Sequence, residues 1–500
     1  MKLGKLLEGE NFRLSDPNLL NLEVDNWTDR SHEVRKGSWF IAVKGETVDG
    51  HEFVQDAIHR GASGIIVERQ LDYAAVSVPS IVVPNTRRLV SVFSSRWFRV
   101  PSSRLHLIGV TGTNGKTTTT FIIQHLFNSF APAGVIGTVE ARWSGKHIAT
   151  ANTTPGPREL NSILSQMADD GVKNCAMEVS SHALKQGRVT EVNFRTAVFT
   201  NLTQDHLDYH KTFEDYFESK AKLFLEFPGV ERKIINIDDE YGMRLWDRIP
   251  GKSKVSYSVK KKADYQASDI QPGLDRTRFD LEIRGKKYAI TTRLLCLHNV
   301  YNLIAAIAVS VEAGYAPEKI IESVRTFEGV PGRLDRIELP NGATVFVDYA
   351  HTPDAFLNIY SSLAPLKKGK MISVFGCGGN RDRDKRPKMG RIALQFSDFI
   401  IITSDNPREE NPDEIIREIV AGIDSGKLKE KSVLIPDRRE AIRKACEASR
   451  NGDLVLVLGK GHEDYQIIGK QKIHFSDQEE IKEWVRLRRI AQNSKNLLGV

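Results

Sequence analysis

The chain reads as an α/β protein of three domains: a small N-terminal α/β domain, a central domain on a mostly parallel sheet, and a C-terminal doubly wound domain. Three observations predict this. Its 500 residues are too many for one hydrophobic core. Short apolar runs alternate with helical patterns over most of the length, the pattern of parallel strands covered by helices. The segment Val110-Thr111-Gly112-Thr113-Asn114-Gly115-Lys116-Thr117-Thr118 lies between an apolar run and a helical pattern, the strand–turn–helix layout of a phosphate cradle.

The N-terminal domain is expected over residues 1–102. Apolar runs at 38–43, 64–67 and 80–83 predict short strands, and 53–60 carries a helical pattern. Arg99-Val100-Pro101-Ser102-Ser103 reads as a linker.

The central domain, 103–332, opens with an apolar strand at 105–110, the glycine loop, and a helix over 119–127. The glycines let backbone N–H groups approach phosphate oxygens, and the helix N-terminus adds its positive dipole end. Lys116 is placed to reach the β- and γ-phosphates and Thr117 to hold Mg²⁺. The match to the strict P-loop spacing is imperfect, because Val110 stands where the first glycine belongs. The layout is P-loop ATPase-like. Further strands are expected at 174–178, 196–200 and 233–237, with a helix at 213–224 between the last two. Residues 256–292 change to shorter strands, an antiparallel addition, followed by a helix at 302–313.

The C-terminal domain, 333–500, holds apolar runs at 344–347, 371–375, 399–403 and 454–458. Helical patterns at 354–363, 388–396, 412–422 and 438–448 fall among them, a Rossmann-like order. Ligands of such sheets bind at the carboxyl ends of strands, and four polar clusters sit there: Asp348-Tyr349-Ala350-His351, residues 376–383, Asp405-Asn406-Pro407-Arg408 and Gly459-Lys460-Gly461-His462-Glu463.

Composition narrows the function classes. Residues are 40% hydrophobic, and no apolar stretch approaches a bilayer span. The charged start MKLGKLLEGENF lacks the apolar region of a signal peptide. Cys175, Cys296, Cys377 and Cys446 are scattered without metal or disulfide spacing, so reduced thiols in a cytoplasmic protein are expected. A net charge of +7 suits anionic ligands. A nucleic-acid-associated ATPase would also be basic, but no pattern of stacking aromatics along a basic groove supports it. Glu178 closes a strand where a second Mg²⁺ ligand belongs, and Asp205-His206-Leu207-Asp208-Tyr209-His210 follows another strand. On residue types alone, a metal site and a solvated polar loop stay equally open for these clusters. The residues by themselves give an ATP-dependent enzyme with an anionic substrate, and they do not say which bond it makes.

Read together, the clusters resemble the Mur ligases, the ATP-dependent amino-acid ligases of peptidoglycan precursor synthesis, and within that family the MurE type. The motifs are 111–118, Asn152-Thr153-Thr154-Pro155, Glu178-Val179-Ser180-Ser181-His182, 205–210, His298-Asn299-Val300-Tyr301-Asn302, Pro331-Gly332-Arg333, Asp348-Tyr349-Ala350-His351-Thr352-Pro353, 405–408 and 459–463. They stand in the family's order and span essentially the whole chain.

The resemblance implies that ATP phosphorylates the D-glutamate carboxylate of UDP-N-acetylmuramoyl-L-alanyl-D-glutamate. The amine of meso-2,6-diaminopimelate then attacks the acyl phosphate. It implies small-molecule partners, no nucleic acid, no membrane insertion and a monomer. Gly112, Thr113, Asn114, Gly115, Lys116, Thr117 and Thr118 would bind the ATP phosphates, Asn299 and Asn302 the adenine region, Arg333 a phosphate and Asp348 the ribose. Thr117 and Glu178 would hold Mg²⁺, with His206 at or near a second one. Ser31, Gly45, Glu46, Thr47 and Val48 would grip the UDP part. Asn152, Thr153, Thr154, Ser180, Gln186 and Arg188 would bind the muramoyl-dipeptide arm. The family's carbamoylated lysine stands four residues after a Tyr and four before a Phe. That spacing selects Lys220, between Tyr216 and Phe224, over Lys222. As a carbamate (N6-carboxylysine), Lys220 would be a further Mg²⁺ ligand. Asp405, Asn406, Pro407 and Arg408 resemble the signature of diaminopimelate-adding members. There Arg408 and Arg381 would hold carboxylates of the acceptor, Asp405 and Glu463 its ammonium, and Gly459 would line the site. A lysine-adding member has no distal carboxylate to satisfy, so an arginine there would stay unpaired. Folylpolyglutamate and cyanophycin ligases share the ATP core but not the N-terminal block. Two departures stand out. The family's early Asp-Ser-Arg appears as Arg30-Ser31-His32, and Cys296 and His298 replace the usual Gly and Phe before the Asn-Val-Tyr-Asn run.

Overall fold

The structure is a computed structural model that describes residues 1–14, 16–45, 48–69 and 77–498. Its largest sheet has 11 strands. The parallel core runs Tyr265–Gln271, Lys254–Ser258, Arg232–Asn236, Phe194–Phe199, His106–Thr111, Asn174–Glu178, Ala133–Ile136 in spatial order. Alternation along the strand His106–Thr111 explains why it is buried on both sides. Ile108 and Val110 join one core with the helices Lys116–Asn128 and Leu297–Glu312. Leu107 points the other way, into a second core with Leu160, Leu164, Phe217 and Phe224.

A 5-stranded sheet precedes it, in the order Arg13–Leu14, Ser80–Val82, Gly64–Val67, Trp39–Ile41, Trp27–Thr28. The expected linker forms the 3₁₀ turn Pro101–Arg104, with Arg99 and Val100 at φ 59° and 51°. A 6-stranded sheet follows, in the order Asp335–Glu338, Thr344–Asp348, Leu454–Leu458, Met371–Phe375, Phe399–Ile402, Ser432–Leu434. It is parallel apart from its first pair. The hairpin Tyr465–Ile468 and Gln471–His474 stands beside it.

Several expectations need correction. The strands Tyr265–Gln271, Thr277–Ile283 and Lys286–Thr292 have seven residues each and are not short. Their alternating burial broke up the apolar run that a strand reading looks for. They also extend the central sheet, joined to it by a parallel pair before the antiparallel ones begin. The helix expected at 302–313 starts at Leu297, so Asn299 and Asn302 lie in its first turns. The helices Thr86–Trp97, Pro157–Asp169 and Asp477–Leu498 add to those expected from the sequence. Thr86–Trp97 buries Leu89, Val90 and Phe93, a helical spacing present in the sequence.

Candidate active site

The phosphate loop is fixed from three sides. Gly115 has φ +87°, and a Cβ there would lie 2.3 Å from Asn302 Oδ1. Asn302 in turn donates to Asn299 Oδ1 at 3.0 Å, and Asn299 donates to the Leu295 carbonyl at 2.9 Å. Both asparagines are buried and support the loop from beneath. From the next strand, Asn201 accepts the Thr113 and Asn114 N–H groups through its carbonyl and its side chain, each at 2.9 Å. The Thr200 hydroxyl donates to the Asn114 carbonyl at 2.6 Å. Thr117 and Thr118 enter the helix buried.

Two lysines converge on this loop. Lys116 Nζ donates to the Gly112 and Thr113 carbonyls at 3.0 and 2.8 Å. Lys220 Nζ reaches the same Gly112 carbonyl at 2.8 Å and lies 4.5 Å from the centre of the Tyr216 ring. Burial lowers the Lys116 pKa, with Glu178 and Asp205 opposing. Burial and then the Lys116 charge push the Lys220 pKa well below the ordinary lysine value. Lys222, on the same helix, is half-buried, whereas Lys220 is buried. The contrast follows from helical geometry, since residues two apart point to different faces.

Glu178 ends its strand buried, its oxygens accepting the Thr138 N–H at 2.8 Å and the Thr138 hydroxyl at 3.1 Å. The Thr138 hydroxyl is 3.0 Å from that of Thr153. Thr154 donates to the Glu178 carbonyl at 2.8 Å and accepts the Ser180 N–H at 3.0 Å. Arg188 donates to the Thr154 carbonyl at 3.0 Å and to Gln186 at 2.8 Å. Thr153, Thr154, Ser180, Gln186 and Arg188 therefore form one continuous ledge beside Glu178, with Asn152 exposed next to it. Ser31 lies in the N-terminal block on the 3₁₀ turn Ser31–Glu33, and Val48 is exposed there. Glu46 and Thr47 lie outside the described residues.

His206 has φ 52°, and its Nε2 is 3.5 Å from Asp205 Oδ2. Its ring meets His182 at 4.8 Å and Tyr216 at 6.3 Å. Burial opposes the Asp205 charge, but His206, His351 and Lys116 outweigh it and lower its pKa.

The C-terminal block closes over the loop. Arg333 donates to the Thr117 hydroxyl at 3.2 Å, and its guanidinium lies 4.7 Å from the Tyr349 ring centre. Asn114 donates to Asp354 at 3.2 Å, a contact the sequence reading missed. Asp348, expected at the ribose, has its two oxygens on the Leu334 and Ala350 N–H groups, both at 2.7 Å. It pins the turn that carries Arg333, and burial raises its pKa.

The remaining expected residues gather at the far corner of the C-terminal sheet. A Cβ on Gly378 would lie 3.0 Å from Arg408 Nη1 and 3.7 Å from Arg381 Cγ, so the two arginines flank that glycine. Arg408 donates to the Gly379 carbonyl at 2.8 Å. A Cβ on Gly459 (φ +115°) would lie 2.6 Å from Asp405 Oδ2. Asn406 donates to Glu463 at 2.8 Å. Lys460, quoted within a motif but given no role, is fully buried and bonds Glu463 at 3.0 Å. The signal was a lysine between two glycines, the one long cation in a run otherwise made for tight turns.

Family comparison follows this division of the chain. The Mur ligase family catalytic-domain model matches residues 25–98, the Mur ligase middle domain 110–310, and the Mur ligase glutamate ligase domain 332–461. A curated relative from Aquifex aeolicus, named UDP-N-acetylmuramoyl-L-alanyl-D-glutamate--2,6-diaminopimelate ligase, is 44% identical over 92% of this chain and 93% of its own. One of the same name from Geobacillus thermodenitrificans is 42% identical over 95% and 97%. A solved structure of that name superposes with a TM-score of 0.70 at 32% identity, covering 98% of this chain and 99% of the other. The chain belongs to the Mur ligase family, ATP-dependent enzymes that form amide bonds.

Proposed function

We propose that this protein joins meso-2,6-diaminopimelate to the D-glutamate of UDP-N-acetylmuramoyl-L-alanyl-D-glutamate. The observation that carries this reading is the corner where Arg381 and Arg408 flank Gly378, Asp405 approaches Gly459, and Glu463 is bonded by Asn406 of the same segment as Asp405 and Arg408. It offers partners for both a carboxylate and an ammonium, the two charges of an amino-acid head at the far end of the acceptor.

The N-terminal block (1–102) takes the uridine part, the central block (103–332) the ATP and the reacting carboxylate, and the C-terminal block (333–500) the incoming amino acid. Loop N–H groups from Gly115 to Thr118, with Lys116 and Arg333, neutralise the triphosphate, while Asn201 holds the Thr113 and Asn114 N–H groups and so fixes the shape of the loop. Asn299 and Asn302, which support the loop from beneath, stand on the adenine side of the ATP. The substrate carboxylate, laid along Thr153, Thr154, Ser180 and Arg188, attacks the γ-phosphorus and ADP leaves. The acceptor amine then attacks the acyl carbon and gives up a proton, and phosphate departs with the C–O bond electrons and takes up that proton. Phosphorylation turns a poor leaving group into a good one. The protein contributes charge neutralisation, proximity and exclusion of water.

Mg²⁺ fits the donor set. Among the described residues, no group of three or more His, Cys, Asp or Glu side chains is arranged to hold a metal ion. A Mg²⁺ held by one or two protein oxygens, phosphate and water needs no such cage. Thr117 and Glu178 would supply those oxygens, with His206 close by, and the ion would neutralise the phosphates. The buried Lys220, favoured in its neutral form, is suited to react with carbon dioxide, and its carbamate would add an anionic ligand. We place the enzyme in the cytoplasm as a monomer. No helix among the described residues is long and apolar enough to cross a membrane.

The test is a panel of amino acids incubated with UDP-N-acetylmuramoyl-L-alanyl-D-glutamate, ATP and Mg²⁺, scored by product mass. Diaminopimelate should give the dominant tripeptide product. A product formed equally well with lysine, or with no acceptor dependence, overturns the assignment.

A further inference from the structure

Lys460 is 0% exposed, a rare state for a lysine, and no step above uses it. Its ammonium lies 3.0 Å from Glu463 Oε2 and 3.4 Å from Asn406 Oδ1. Asn406 closes the triangle by donating to the same Glu463 oxygen at 2.8 Å. The other Glu463 oxygen faces the Tyr465 hydroxyl at 3.4 Å. Asn406 Oδ1 also accepts the Ile467 N–H at 3.0 Å, which ties the triangle to the hairpin. Every member of this network belongs to, or touches, the corner assigned above to the acceptor.

A charge count shows what the buried cation does. Without it, the corner presents Asp405 and Glu463 against Arg408 and Arg381, with Arg381 exposed. The guanidinium behind them, Arg438, is already matched by Asp477 at 2.7 Å. With Lys460 in place, Glu463 is neutralised from the protein side. It keeps an acceptor oxygen for an ammonium but no longer adds a free negative charge. The excess of the corner then lies with its arginines, which favours an acceptor whose distal head carries a carboxylate as well as an ammonium. A head with an ammonium alone gains less.

We propose that Lys460 is a specificity-determining positioning residue: by holding Asn406 and Glu463 and cancelling the Glu463 charge, it tunes the acceptor site for a zwitterionic distal head against a bare ammonium. The proposal rests on the acceptor assignment made above.

The test compares wild type with Lys460→Met, Lys460→Gln and Lys460→Met/Glu463→Gln. It measures kcat/KM for diaminopimelate and for L-lysine at saturating ATP and UDP-substrate, KM for ATP, and the melting temperature. Lys460→Met should reduce the diaminopimelate-to-lysine preference at least tenfold, through KM for the amino acid, with KM for ATP within twofold of wild type. The double variant, with the charge removed from both partners, should recover most of the diaminopimelate-to-lysine ratio while kcat/KM falls for both acceptors, because Glu463 is an ammonium partner of each. Lys460→Gln keeps a donor without the charge, fits the site more gently, and should lose preference while remaining folded. Unchanged preference in the folded Lys460→Gln protein overturns the proposal. So does an equal rise in KM for ATP and for the amino acid, or a double variant no better than Lys460→Met. A wild type that prefers another acceptor would instead refute the acceptor assignment, and the same variants then read the effect of Lys460 on that acceptor's charge.

Discussion

Replacing Arg408 by alanine isolates one guanidinium, because the backbone that carries it is held independently. The Arg408 N–H donates to the Ile467 carbonyl at 3.0 Å, and its own carbonyl accepts the Gly469 N–H at 2.7 Å. The side chain's contacts within the protein are to the Gly379 and Asn406 carbonyls at 2.8 and 3.5 Å. Alanine keeps those main-chain bonds, and the left-handed φ of 53° is no harder for alanine than for arginine. The cost therefore falls on the ligand. A hydrogen bond to a charged group is worth about 1.5–3 kcal/mol, which corresponds to a loss of roughly 10- to 150-fold in kcat/KM. A distal carboxylate left desolvated and unpaired would carry the loss toward about 10⁴-fold. Kinetics with diaminopimelate and L-lysine, at saturating ATP and UDP-substrate, should show at least a tenfold fall for the first and little change for the second. KM for ATP should stay near wild type. An unchanged ratio between the two amino acids would refute the distal-carboxylate role and reduce the Asp405–Arg408 segment to a turn.

Other outcomes follow from the same geometry. Lys220→Ala should abolish most ligation, with partial return on adding a short carboxylic acid but none from carbon dioxide, whereas Lys222→Ala should stay active; the reverse order would move the carbamate to Lys222. Asp477→Ala strands the fully buried Arg438, which it holds through two bonds of 2.7 Å, and should destabilise the protein by about 3–5 kcal/mol in thermal unfolding, while Arg438→Leu/Asp477→Leu should recover much of that. The His298 pKa is pushed down to about 4 by burial and then by Arg333. Because the unfolded ring binds its proton near the ordinary 6.5, stability should fall as pH drops from about 6.5 to about 4 and level below that, by about 1–2 kcal/mol for a ring that is partly open to solvent. His298→Gln should flatten that part of the stability–pH curve, and an unaltered slope would show that the proton binds elsewhere.

The phosphate loop, the parallel core and the carboxyl-end clusters were legible because each is a local pattern: an apolar run, a glycine turn, a helical period. The spacing around Lys220 was legible for the same reason. What stayed hidden is the set of contacts made by residues far apart in the chain. Asn302 lies 183 residues beyond Thr119, whose hydroxyl it accepts, and no period of the sequence announces that Gly115 must be a glycine to admit its side chain. Arg333 reaches Thr117 across 216 positions, and Asp354 meets Asn114 across 240. Sequence motifs thus name the chemical parts, but strand order brings them together. His106–Thr111 sits between Phe194–Phe199 and Asn174–Glu178, so the loop, Asn201 and Glu178 share one sheet edge. Lys460 is the sharpest case. Its two neighbouring glycines predict a tight turn, and a lysine in a turn is ordinarily solvated. Its carboxylate partner Glu463 is only three positions on, but the Asn406 side-chain oxygen that also faces its ammonium comes from 54 positions back, and the Tyr465 ring of the hairpin lies 5.4 Å from it. A residue whose role depends on burial is invisible to composition, and a specificity determinant made by charge cancellation is of that kind, because it becomes readable only when the partner it cancels is known.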